Sequence, residues 1–258
     1  MTPLDRAHDA MMADEADDAA RLAFYERVAD AELYLLLDGE PSGDVLDPRI
    51  FETSQGAFAL VFDLADRLAE FAGGPAPYAA LSGRLLVGMV AGQGCGIALN
   101  PGVAPSSILL PADAVGWIAA TLAEEATEHE ARPVELTFPA GLPERLLPAL
   151  DAKLGLASGR ARFAYLAAVR YADGTNGHML AFVGATPGAE RALAGAVREA
   201  LVFSGLEAGQ IDVAFFDPSD AIAARLAKVG LRIDLPVPEE PGPRDAPGSD
   251  PDRPPRLR

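Results

Sequence analysis

The chain is poor in the residues from which most reactive centres are built. Among 258 residues there is one cysteine, one tryptophan and three histidines. Cys95 alone cannot close an internal disulfide, so an oxidising compartment is not required. With His8, His129 and His178 scattered along the chain, it cannot assemble a His/Cys-rich zinc site either. Lysine is nearly absent: all but Lys153 and Lys228 of the 21 basic residues are arginine. Neither lysine is followed by Ser or Thr, which excludes a Walker A phosphate loop. There is no G-x-S-x-G nucleophile elbow, Ser82-Gly83 lacking the first glycine, and no D-x-D-x-D-G calcium loop. Long apolar runs are missing too. Leu85 to Gly92 is the longest, far short of the ~18–20 residues a membrane span needs. Met1 to Arg6 leads into acidic sequence without a basic segment followed by an apolar one, so no signal peptide is expected and the expected location is cytoplasmic.

What the chain does have is acid and a hydrophobic half. Net charge is −17, from 38 acidic against 21 basic residues, with 50% hydrophobic and 23% charged residues. That composition is globular, and the length allows one large domain or two small ones. So acidic a surface repels phosphate backbones and anionic lipid, so nucleic-acid and membrane partners are not expected. No cofactor or metal is expected. The oligomeric state is open.

Two boundaries divide the chain. From Pro236 to Arg258 eight prolines alternate with charged and small residues, a tail that cannot repay its ordering entropy and is expected to be disordered. Glu124 to Arg132 holds five charged residues and His129, at the end of one helical pattern and before a strand pattern. The expected division is an N-terminal domain at 1–127, a linker at 128–132, a C-terminal domain at 133–236 and a tail at 237–258.

The N-terminal region opens with two short helices. Strands are expected at Glu32–Leu37, buried on both faces, and at Phe58–Phe62. Asp63 suits a helix N-cap, and the helix it opens stops at Gly73-Gly74. Gly83 to Ala91 is read as helix, Ile97–Asn100 and Ser107–Leu110 as short strands, and Pro111 to about Ala126 as helix. In the C-terminal region Val134–Phe138 is a strand and Leu142–Lys153 a helix with Gly155 as left-handed cap. Arg162–Tyr171 and His178–Gly184 form a hairpin through Asp173-Gly-Thr-Asn-Gly177. A helix capped by Thr186-Pro187, a strand at Ile211–Phe216 and a last helix to Lys228 follow. The fold class is α+β, with two α/β-type domains. The C-terminal one has ferredoxin-like βαββαβ order plus an extra helix.

The most suggestive stretch for binding is Gly92-Gln-Gly-Cys-Gly96 followed by Asn100-Pro-Gly102. Glycines let backbone amides approach an anion. The spacing is G-x-G-x-G and a strand follows, so this is not a dinucleotide fingerprint. A tight loop plus an Asn-Pro-Gly turn accounts for the pattern, and a small anionic or amide-bearing ligand is the second reading. With the nearby Arg84, the candidate ligand residues are Arg84, Gly92, Gly94, Gly96, Asn100 and Gly102. Cys95 reads as a buried, inert small hydrophobe, the histidines as surface or capping residues, and Trp117 as core packing. No catalytic constellation stands out. An enzyme would have to join residues such as Arg84 and Asp63 in a deep pocket.

Several runs resemble the SseB (enhanced serine sensitivity) family: Ala23–Leu37, Phe58–Asp63, Leu81–Arg84, Ala98–Gly102 and Ser107–Pro111. Ala200–Leu206 and Gly230–Pro236 are similar to that family's C-terminal domain. The resemblance implies a cytoplasmic bacterial protein linked to serine tolerance, with no catalytic residues to carry over. The expected function is a non-catalytic regulatory or interaction protein, with an amino acid or a protein as partner. Two alternatives are an enzyme with an unrecognised Arg/Asp/Ser site and a homo-oligomeric assembly module.

Overall fold

The computed structural model describes residues 1–14, 16–40, 45–54, 56–126, 130–206 and 211–237. Most of the proline-rich tail and residues 127–129 of the charged boundary lie outside them.

The first sheet is built from β1 (Glu32–Leu36), β2 (Ile50–Thr53), β3 (Gly56–Phe62), β4 (Tyr78–Ser82), β5 (Gly96–Leu99) and β6 (Ile108–Leu110). Its order is β4-β1-β3-β5-β6, and only β3 and β5 run parallel. β2 and β1 lie end to end along one edge of β3, at Gly56–Ala59 and Val61–Phe62. Side-chain alternation sends Leu33, Leu35, Ala59, Val61, Ile97 and Leu99 to one face and Leu36, Phe58, Leu60 and Phe62 to the other. The first face is covered by α1 (Pro3–Ala13), α2 (Asp18–Asp30), α4 (Gly83–Ala91) and α5 (Ala112–Ala123), the second by α3 (Ala65–Ala72). Burial of β1 on both faces is therefore as the sequence predicts.

The second sheet holds β7 (Pro133–Thr137), β8 (Phe163–Tyr171), β9 (Asn176–Val183), β10 (Ile211–Phe216) and β11 (Leu231–Asp234). α6 (Leu146–Leu154) and α7 (Glu190–Phe203) cover one face, α8 (Ala221–Val229) the other. The architecture is α+β with two α/β-type domains. Along the chain the order βαββαβ is present, followed by α8 and β11. In space it is not interleaved as in a ferredoxin-like sheet, because β10 pairs β9 in parallel, while β7 and β11 share one edge of β8.

Other differences are local. Gly155 ends α6 with φ −56°, so it is not a left-handed cap. Leu64, not Asp63, occupies the N-cap position of α3, because the Asp63 carboxylate is engaged elsewhere. His8 is buried, its ring edge-on to Phe24 at 5.7 Å, and not on the surface. Trp117 is 40% exposed yet packs against Tyr25 and Phe203.

The two domains are joined through α7. Phe203, its last residue, is fully buried among the core residues of the first sheet. Arg198 of the same helix donates to the Thr121 carbonyl at the end of α5 at 2.8 Å and pairs with Glu124.

Candidate functional site

The joint between the domains is polar as well as apolar. Glu26 and Asp30 stand four residues apart on α2 and so share a helix face. Across from them α6 presents Lys153, whose Nζ lies 2.8 Å from Asp30, 3.0 Å from Glu199 of α7 and 3.2 Å from Glu26. Only 4% of the Lys153 side chain is exposed. Arg84, at the start of α4, donates two hydrogen bonds to the Glu199 carboxylate at 2.7 and 2.9 Å and reaches Asp30 at 3.5 Å. Three carboxylates and two cations from four helices thus form one network across the domain boundary.

Its electrostatics are uneven. Burial alone would depress the Lys153 ammonium, but Glu26, Asp30 and Glu199 raise it above the usual lysine range. Burial works to raise Glu199, but Arg84 and Lys153 outweigh it and hold the carboxyl below its ordinary value. Glu26 goes the other way: burial and the neighbouring Asp30 push its carboxyl up against the pull of Lys153. Its Oε1 is shielded from water and faces the Lys153 ammonium at 3.2 Å, while the shorter hydrogen bonds of Lys153 go to Asp30.

Beside this network lies an open cleft of about 750 Å³ between α1, α2 and α6. Arg6 enters it from α1, Ala23, Glu26 and Arg27 from α2, and Ala149 and Ala152 from α6. Arg145 spans the domains at its rim, with two hydrogen bonds of 3.2 Å to Asp17. Burial works to raise the Asp17 carboxyl, but the Ala19 amide and Arg145 hold it low.

A second polar cluster sits at the carboxyl ends of the parallel strands β3 and β5. The fully buried Asp5 of α1 accepts two hydrogen bonds from Arg67 at 2.6 and 3.0 Å, one from Ser106 at 2.6 Å and one from the Thr2 amide at 2.8 Å. Asp63 accepts from Arg67 and from Thr2, each at 2.7 Å. Asn100, itself fully buried and at φ +46°, donates to Ser106 and accepts from the Asp63 amide. Burial would raise Asp5, but Arg67, Ser106 and Thr2 hold it far below the usual carboxylate range.

The sequence-predicted residues fall in three places. Arg84 is in the interdomain network. Gly92 and Gly94 form the turn after α4, Gly94 at φ +64°, and Gly96 begins β5. Asn100 and Gly102 lie at the other end of β5, roughly 13 Å away at ~3.3 Å per residue. Gly96 has a packing reason to be glycine, since a Cβ there would come within 2.6 Å of the Phe58 ring. Gly96→Ala is expected to destabilise the protein by about 1–3 kcal/mol, read from the urea midpoint, with α4 and its turn unaltered. Arg84 and Asp63 belong to separate networks and do not converge. The Cys95 thiol is buried, donates to the Ala57 carbonyl at 3.1 Å and is pushed up by burial, as an inert residue should be.

Sequence reading missed Lys153, Glu26, Asp30 and Glu199. One signal was available. Leu146, Leu150, Lys153 and Leu154 follow the spacing of a buried helix face, so a scarce lysine sits on an apolar stripe.

Among the described residues, no helix is long and apolar enough to cross a membrane. Neither the curated proteins nor the solved structures contain a match to this chain. Residues 4–117 match the family model described as the SseB protein N-terminal domain. That span runs from the first turn of α1 to the middle of α5, taking in all of the first sheet and none of the second. The chain thus carries an SseB N-terminal domain at residues 4–117.

Proposed function

We propose that the protein is a non-catalytic, cytoplasmic regulatory protein of the SseB type whose two domains respond together to an amino-acid ligand. The second domain is read as the family's C-terminal domain, on the likeness at Ala200–Leu206 and Gly230–Pro236. A bacterial origin and a link to serine tolerance belong to the same reading. The observation that carries it is the polar joint: two domains held by a buried charge network, with an open cleft beside it. Polar joints of this kind are where relative domain movement and ligand binding are commonly coupled.

The test is a thermal-shift screen of the full chain against each standard amino acid and common anionic metabolites. A ligand at 100 times its dissociation constant stabilises by about 2.7 kcal/mol. For a protein of this size that moves the midpoint by roughly 2–4 °C. A shift with serine or a relative supports the reading. No shift with any amino acid removes the ligand and directs attention to protein partners.

A further inference from the structure

Among the described residues several strands have an outer edge that no other strand covers, including β4, β6, β7, β10 and β11. Of these, β4 and β6 hold no charged residue, and β7 and β10 hold one acid each. β11 differs. Leu231-Arg-Ile-Asp234 carries one charge of each sign, two residues apart and so on one face. An open edge is a template for another strand, and its charges decide which strand it admits.

The backbone of that edge can be read from its neighbours. The Tyr171 amide donates to Thr175, and β8 pairs β9 without a break from Phe163 to Arg170. Backbone groups alternate sides along a strand, so the odd-numbered residues of β8 bond β9 and the even-numbered ones bond the opposite edge. Ala164 and Leu166 are then the residues that bond Ile233 and Leu231. The amides and carbonyls of Arg232 and Asp234 point away from the sheet. Pro236 has no N–H, and its carbonyl is taken by Gly159 and Ser158, so the open ladder ends at Asp234.

A second β11 laid antiparallel, with Ile233 opposite Ile233, matches this edge. Arg232 of each copy then faces Asp234 of the other, and both outward-directed residues gain their backbone hydrogen bonds. The same register sets opposite charges side by side, whereas the neighbouring registers set Arg232 against Arg232 or Asp234 against Asp234. Both side chains are exposed, at 52% and 67%, and the in-chain hydrogen bonds of Arg232 end on Oδ1 of Asp234, so Oδ2 can take a second guanidinium. On the other face Leu231, Ile233 and Leu235 pack on the α6–α7 core. There they would meet their counterparts beside an open groove of about 530 Å³, walled by Leu147 and Pro148 of α6. The chain's own tail is a poorer match, since from Pro236 onward no run of more than three residues is free of proline.

We infer that β11 is a homodimerisation edge: two copies join through an antiparallel β11–β11 pair into one continuous sheet, with Arg232–Asp234 cross-pairs fixing the register. The inference is independent of the amino-acid reading and concerns a different surface. So short a ladder gives a reversible dimer, and concentration is part of its test.

The experiment is sedimentation equilibrium of the full chain at about 0.15 M salt, where long-range repulsion between copies of net charge −17 is largely screened. The variants are Arg232→Asp, Asp234→Arg and the double exchange of both, each first checked for a wild-type circular dichroism spectrum. The wild type is expected to dimerise. Each single variant opposes like charges and is expected to dissociate about tenfold or more readily. The double exchange restores the dimer, and so does an equal mixture of the two single variants, in which every Asp again faces an Arg. Hydrogen exchange of the Arg232 and Asp234 amides should slow as wild-type concentration rises. A wild type that stays monomeric overturns the inference, as do single variants that dimerise like wild type or a mixture that stays monomeric. Protected Arg232 and Asp234 amides in a monomer would show that the chain covers its own edge, and would overturn it too.

Discussion

Lys153→Met is expected to cost about 3–5 kcal/mol of stability at neutral pH, the usual penalty for removing one partner of a buried charge group. Methionine matches the length of the lysine stem and fills the same space, so the loss comes from charge and not from a cavity. Without the ammonium, Glu26, Asp30 and Glu199 would share a nearly buried site with only Arg84, which is 43% exposed and reaches two of the three. Glu26 would suffer most, since its carboxyl is already pushed up by burial and by Asp30. The pH dependence follows from the directions of the shifts. The lysine is raised, so its contribution is complete below its ordinary value near 10.5 and fades only above that. At the acid end the variant gains relative to wild type as its stranded carboxylates take up protons, Glu26 first. The gap in urea midpoint between the two proteins should therefore be widest near neutrality and narrow toward pH 5. Because the network spans both domains, far-ultraviolet circular dichroism and Trp117 fluorescence should no longer report coincident transitions in the variant. A cost under about 1 kcal/mol would mean that the network behaves as a solvated surface group.

That network shows why the joint was hard to read from sequence while much of the fold was not. β1, β3, β5 and α5 carry dense apolar patterns that fix their type locally. The Asp173–Gly177 turn likewise fixes the β8–β9 hairpin, with Gly174 at φ +89°. β2 and β4 have no such pattern. Ile50 and Phe51 are exposed, and β4 only alternates between exposed and half-buried positions, held by pairing to β1. They are strands because of distant partners. β10 illustrates the same limit: its pattern says strand, but not that it joins β9 in parallel instead of β7. The glycine-rich loop drew attention because glycine is conspicuous in sequence. The structure accounts for Gly94 by a turn and for Gly96 by the Phe58 ring. The interdomain charges are the reverse case. Arg84 and Glu199 are 115 residues apart, and Lys153 and Asp30 are 123 apart, so no spacing rule joins them. Arg84 was reached only through its nearness to the glycine loop, and its true partner is a helix of the other domain.

The second cluster supports an equally large effect with the opposite pH signature. Asp5→Asn keeps the side-chain shape but removes the carboxylate that receives both arms of Arg67, the Ser106 hydroxyl and the Thr2 amide. Asp63 remains for Arg67, so the guanidinium is not wholly stranded, but an amide nitrogen, itself a donor and unable to accept, now faces other donors. A loss of about 3–5 kcal/mol is expected at pH 7. Because the Asp5 carboxyl is held low in the folded protein, its contribution is complete above its unfolded value, near 4. It disappears only as pH falls well below that. Urea midpoints of wild type and variant should therefore stay separated by the same amount from pH 7 to pH 5, where the Lys153→Met gap has already begun to close. Below about pH 4 the wild-type midpoint should fall more steeply than that of Asp5→Asn, which has no carboxylate there to protonate. A gap that closes by pH 5 would show that Arg67, Ser106 and Thr2 do not hold the carboxyl down. The cluster would then be a solvated one, and α1 would be fixed to the sheet by Leu4, His8 and Met11 alone.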